Sequence, residues 1–216
     1  MRKPVLFSSY PPAAGFNPAD TFTFWQNGAL VTTTFAALQA GLFPNPALPL
    51  FTAISSTTNA NSTGSVSIIG TGAPGSNLVL PPNYLTPGSG FRVRANGVVG
   101  EAGGGPPNLV LRVNLGATMI SQTLVGFLSA SNPESWELDV SAVCRSAGAT
   151  GTVQTYGTFT EENSTSPAYD NPFAAQLSTI NTTLTQAISV TQSWSVANAA
   201  NTFTCNMLTI TPILAP

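Results

Sequence analysis

The sequence predicts an all-β protein, an antiparallel jelly-roll or β-sandwich of about eight strands with an extended N-terminal arm. Three observations lead there. From about residue 51 onward, short segments alternate apolar and polar residues with period two, as in FRVRANGVV and LVLRVNLG. Clusters of Gly, Pro, Asn and Ser separate those segments at roughly even spacing. Helical periodicity is confined to one short stretch, TFAALQA, from Thr34 to Ala40 and ended by Gly41.

The elements follow in order. Residues 1 to 50 form the arm: PPAAGF, an aromatic cluster TFTFW, the short helix, and PNPALP, whose Pro44, Pro46 and Pro49 keep the chain extended. The remaining residues, 51 to 216, form the jelly-roll domain. SVSIIG and LVLPPNYL open it, and TPGSG is a turn. FRVRANGVV then sets Phe91, Val93 and Ala95 on one face and Arg92, Arg94 and Asn96 on the other. After the loop EAGGGPPN, LVLRVNLG turns Leu109, Leu111, Val113 and Leu115 inward. TMISQTLVGFLS supplies another strand or two.

WELDVSAVCRSAGATGTVQTYGTF reads as a hairpin. Trp136, Leu138, Val140, Ala142 and Cys144 share one face, opposite Glu137, Asp139 and Arg145; Val153, Thr155, Gly157 and Phe159 line up on the returning strand. TEENSTSPAYDNP has no periodicity and is expected to be a loop. LTQAISVTQSWS and TFTCNMLTITPIL close the domain as two strands joined by VANAAN.

Composition restricts function. Only 6% of the 216 residues are Asp, Glu, Lys or Arg, against roughly 25% in ordinary soluble proteins. A surface with so few charges calls for cover by other subunits or by Ser/Thr/Asn-rich strand faces. The six basic residues form no stripe, so nucleic acid is not an expected partner. The N terminus lacks an apolar run long enough for a signal peptide, and the apolar stretch from Phe35 to Ile54 is broken by prolines; neither secretion nor membrane insertion is expected. Cys144 and Cys205 then fit buried free thiols better than a disulfide.

Catalytic chemistry has little to work with. There is no His, and the single Lys is Lys3, which removes the common general base, the common metal ligand and the usual activated nucleophiles. The Gly-rich runs lack a dinucleotide or phosphate-loop pattern. Glu161, Glu162, Asn163 and Asp170 are the only local cluster of oxygen ligands, without calcium-loop spacing. Paired carboxylates such as Glu134, Glu137 and Asp139, or Glu161 and Glu162, would suffice for glycoside hydrolysis. Arg92, Arg94, Arg112 and Arg145, on the polar faces of other strands, explain the same acids as cross-strand ion pairs. No catalytic, cofactor-binding or metal-binding residue is therefore expected, and the protein is not expected to be an enzyme.

Taken in order, LVLPPNYLTPGSGFRVRANGVV, LVLRVNLGATMI, WELDVSAVCRSAGATGTVQTYGTF and LTQAISVTQSWSVANAANTFTCNMLTI resemble a set of small jelly-roll virion proteins of tailed bacteriophages, over roughly residues 65 to 213. The entry turn departs from that pattern: TPGSG stands where a Gly-Asp turn would be. The resemblance implies a non-catalytic virion component made in the host cytoplasm. The leading expectation is a homotrimeric capsid decoration or cement protein on the capsid surface, with the major capsid protein as partner. The alternative is a receptor- or carbohydrate-binding tail-fibre domain, with loops 100 to 108 and 160 to 173 as recognition surface; Tyr156, Tyr169 and Trp194 would then be stacking platforms, although core or interface is the preferred reading of these rings. The arm lies outside the resemblance. Its Phe22, Phe24, Trp25, Leu42, Phe43 and Phe51 are candidate assembly contacts, the other possibility being that they cover the protein's own domain.

Overall fold

A computed structural model describes residues 21–26, 29–34, 50–73, 78–100, 108–126, 133–163, 166–173 and 175–215. The chain divides into two compact units, Met1–Asn45 and Pro46–Pro216. In the first, strands β1 (Thr21–Gln26) and β2 (Ala29–Thr34) pair antiparallel from Thr21↔Thr34 to Gln26↔Ala29. The aromatic cluster of the arm is thus one strand of a hairpin. The residues between the strands are Asn27-Gly28, the pair that two-residue hairpin connections favour. Of the expected helix, Thr34 ends β2 and the rest lies outside the described residues.

The second unit is a β-sandwich of two packed antiparallel sheets, with no helix among the described residues. Its short strands are β3 (Phe51–Thr52), β4 (Thr57–Ala60), β5 (Val66–Ser67), β6 (Val79–Leu80) and β13 (Leu177–Ile180). Eight longer strands carry the fold: β7 (Gly90–Gly100), β8 (Asn108–Leu115), β9 (Thr118–Gly126), β10 (Glu134–Ser146), β11 (Gly151–Asn163), β12 (Ser166–Phe173), β14 (Gln186–Trp194) and β15 (Thr202–Ile213). The larger sheet runs β12-β11-β10-β7-β15-β3, with β13 beside β11 and β4 beside β15. The smaller runs β5-β14-β8-β9, with β6 beside β14. The chain passes from the larger sheet to the smaller between β7 and β8, returns at β10, leaves again at β14 and returns at β15, so strands distant in sequence become neighbours.

Alternation decides the core. In β8 the pattern is strictly buried at Leu109, Leu111, Val113 and Leu115, and β10 buries Trp136, Leu138, Val140, Ala142 and Cys144. At one end of the sandwich Trp136 stacks on Phe203 (ring centroids 4.5 Å) and Phe159 (5.7 Å). Both cysteines are free and buried. The turn expected at TPGSG is present: Gly88 adopts φ +88°, where only Gly is unstrained, and donates its N–H to the Cys144 carbonyl at 2.9 Å.

Two expectations are corrected. Phe51, grouped with the arm, pairs with Ile210 in the larger sheet and is 4% exposed, so it fills the core of its own domain. The segment TEENSTSPAYDNP is not a loop: β11 continues to Asn163, and β12 pairs back on it from Glu161↔Tyr169 to Thr158↔Pro172. Alternation was absent because β12 is an edge strand, held by backbone hydrogen bonds; there Pro167 and Pro172 are tolerated, since an edge leaves one side of the ladder unpaired.

Two threonines tie the sheets together. Thr155 on β11 is buried, and its Oγ1 donates to the Ile120 carbonyl of β9 at 2.8 Å. Thr123 on β9 donates to the Pro172 carbonyl of β12 at 3.1 Å.

Candidate functional site on the outer face of the larger sheet

Strand register sorts the polar residues into rows across the outer face of β11, β10, β7 and β15. One row is Thr160–Glu137–Asn96–Met207, the next Thr158–Asp139–Arg94–Thr209, and the next Tyr156–Ser141–Arg92–Thr211. Glu137 and Asp139 therefore share a face, as alternation requires, yet their surroundings differ. Arg92 Nε donates to Asp139 Oδ1 at 2.7 Å, its Nη2 bonds Oδ2, and Arg94 Nε reaches Oδ2 at 3.2 Å. The Arg92 hydrogen bonds, aided by Arg94 and opposed by partial burial, hold the Asp139 carboxyl below its ordinary value. An acid clamped by two guanidiniums is a poor proton donor and a poor nucleophile at neutral pH.

Glu137 makes no ion pair among the described residues. The expected partner Arg112 is on the smaller sheet, where it donates to Ser65 and Ser193. Of the remaining acids, Glu134 and Glu161 face inward and are buried, Glu134 with an Oε1 that has no partner among the described residues. Alternation makes the inward turn of Glu134 legible, two residues before Trp136 on the same strand. No group of three potential metal ligands occurs among the described residues. The side chains of Glu162, Asn163 and Asp170 lie outside them.

Beside Glu137 the sheet is hollowed. A groove of about 410 Å³ is lined by Asn96, Ser135, Glu137, Thr160 and Asn206, with Gly97 and Trp136 at its floor. It adjoins a second hollow of about 330 Å³ that shares Asn96 and Glu137 and extends over Arg94, Asp139, Met207 and Thr209. Its origin is a β-bulge in β15: the partner of Gly97 is Cys205 and that of Asn96 is Met207, leaving Asn206 as an extra residue. Two consecutive side chains, Asn206 and Met207, are exposed there and form one wall. Sequence reading missed Asn206 because a bulge is a departure from alternation that only the partner strand defines.

The candidate stacking residues separate. Tyr156 is 67% exposed on the outer face, whereas Trp194 is 2% exposed and belongs to the core, as the preferred reading of these rings has it, and cannot serve as a platform. The Tyr169 side chain lies outside the described residues. Of the candidate arm contacts, Phe22, Phe24 and Trp25 sit in β1 opposite Thr33, Val31 and Leu30; Leu42 and Phe43 are outside the described residues. The fold and face together define a charge-poor β-sandwich with a polar groove over one sheet. In comparison with known proteins, no family model matches the chain and no curated sequence is significantly similar to it.

Proposed function

We propose that the chain is a non-catalytic structural subunit of a tailed-bacteriophage virion, a homotrimeric capsid decoration protein that binds the major capsid protein. The observation that carries this reading is its surface. On a chain with only fourteen charged residues, large apolar side chains stand out to solvent: Ile54, Tyr156, Leu177, Val196, Met207 and Leu214 are each more than half exposed. Tyr156 and Leu177 lie on neighbouring strands, since Leu177 pairs with Gln154. Such a surface favours contact with further subunits. The resemblance in the order of strings adds support: they coincide with β7, β8, the β10–β11 hairpin and β14–β15, the strands that build both sheets.

The test is direct. Native mass measurement of the purified chain is expected to give a trimer, and imaging of particles carrying a labelled copy is expected to place it on the head. In the full-length chain, Phe24→Ala with Trp25→Ala is expected to weaken attachment while leaving the sandwich folded. A chain that stays monomeric and fails to bind particles would refute the reading.

A further inference from the structure

The groove beside Glu137 is polar, unlike the exposed apolar side chains on which the assembly reading stands. Asn96, Ser135, Glu137 and Asn206 make no side-chain hydrogen bond among the described residues, so a planar carboxylate, two planar amides and a hydroxyl converge on one hollow with all their donors and acceptors unspent. Its volume, about 410 Å³, lies within the range of small-molecule sites, about 300 to 1,000 Å³. The row from Thr160 to Met207 crosses four strands, or about 14 Å at the usual strand spacing.

We propose that this groove binds a neutral oligosaccharide, with Glu137 accepting from sugar hydroxyls and the amides of Asn96 and Asn206 both donating and accepting. The charge pattern selects the class. Arg92 and Arg94 share the single carboxylate of Asp139, and Glu137 supplies the second negative charge, so the four ions sum to zero and the face offers no net charge to attract phosphate or carboxylate ligands. An extended peptide is disfavoured because β7 and β10 are paired on both sides, so their backbone groups are spent on the ladder and offer no edge for strand addition. A polyol needs neither a charge nor an edge. It needs fixed side-chain amides and carboxylates, and the bulge at Asn206 fixes one wall of them. This inference does not rest on the assembly reading and survives its failure.

Isothermal titration of the intact chain with maltotriose, cellotriose and tri-N-acetylchitotriose, with trigalacturonate as the anionic comparison, tests it. Saturable binding of at least one neutral trisaccharide is expected. Glu137→Gln and Asn206→Ala are each expected to weaken that binding about tenfold, equivalent to about 1.4 kcal/mol. Gln122→Ala on the smaller sheet is expected to leave it unchanged, and thermal melting checks that each variant folds. The proposal is overturned by no binding of any neutral probe at about 10 mM, well above the dissociation constants of weak specific sites. It is equally overturned by binding that Glu137→Gln and Asn206→Ala leave intact in folded protein, or by a preference for trigalacturonate.

Discussion

The indole of Trp136 lies directly over Gly97, its cross-strand neighbour, and occupies the space a side chain there would need. A Cβ on residue 97 would sit 2.9 Å from Trp136 Cζ2 and 1.8 Å from the Thr204 carbonyl oxygen. That same carbonyl accepts the Trp136 Nε1–H at 3.2 Å. Gly97 thus leaves room for the indole, whose polar edge the Thr204 carbonyl satisfies and whose rings stack on Phe159 and Phe203.

Gly97→Ala should be severely destabilising, because the clash is with sheet backbone rather than with a flexible side-chain end. A loss of about 3 kcal/mol or more is expected, at the upper end of overpacking effects. Urea denaturation followed by Trp fluorescence measures it; a change under 1 kcal/mol, on the order of a neutral surface substitution, would contradict this packing.

The inter-sheet bond of Thr155 is separable from its packing. Thr155→Val keeps the shape but removes the donor, stranding the Ile120 carbonyl in the core. The expected loss is about 1 to 2 kcal/mol, read from the denaturation midpoint at unchanged slope.

Asp139 predicts an acid limb in stability. Its folded-state carboxyl is held below the unfolded value of about 3.9. The stabilisation is therefore complete above that value and is lost as pH falls through the lowered folded one. Unfolding free energies of the wild type and Asp139→Asn should differ by up to about 1 kcal/mol near neutrality, as for well-formed partly exposed pairs. The two curves should converge only once the pH has fallen below the lowered folded value, where the carboxyl is protonated in both states.

The cysteines predict the opposite limb. Burial pushes the Cys205 thiol up to about 11 and raises Cys144 also. With unfolded thiols near 8.5, their contribution is full below that value and declines as pH rises toward 11. In native protein at pH 8 neither thiol should react appreciably with a disulfide reagent, and both should react on unfolding; rapid native labelling would refute their burial.

Much of the fold was legible because alternation is local. Each strand's apolar set at 91, 93 and 95, at 109 to 115 and at 136 to 144 faces inward, as the pleat demands. The β1–β2 hairpin was also within reach, since Asn27-Gly28 stands between two runs of six residues. The strand β12 was not, because an edge held by backbone pairing leaves little trace in side-chain pattern.

The groove and the ion cluster show where local pattern stops. Residue order alone sets Glu137 and Asp139 on one face and makes Trp136 a core residue, since side-chain direction follows from the period-two backbone. Which arginines meet Asp139 depends on β7 lying beside β10, which brings together ion-pair partners 47 and 45 residues apart in sequence. The hollow beside Glu137 exists only because β15 carries an unmatched residue against β7. Pairing and register are properties of two strands together, so they arise only when the chain has folded both into one sheet.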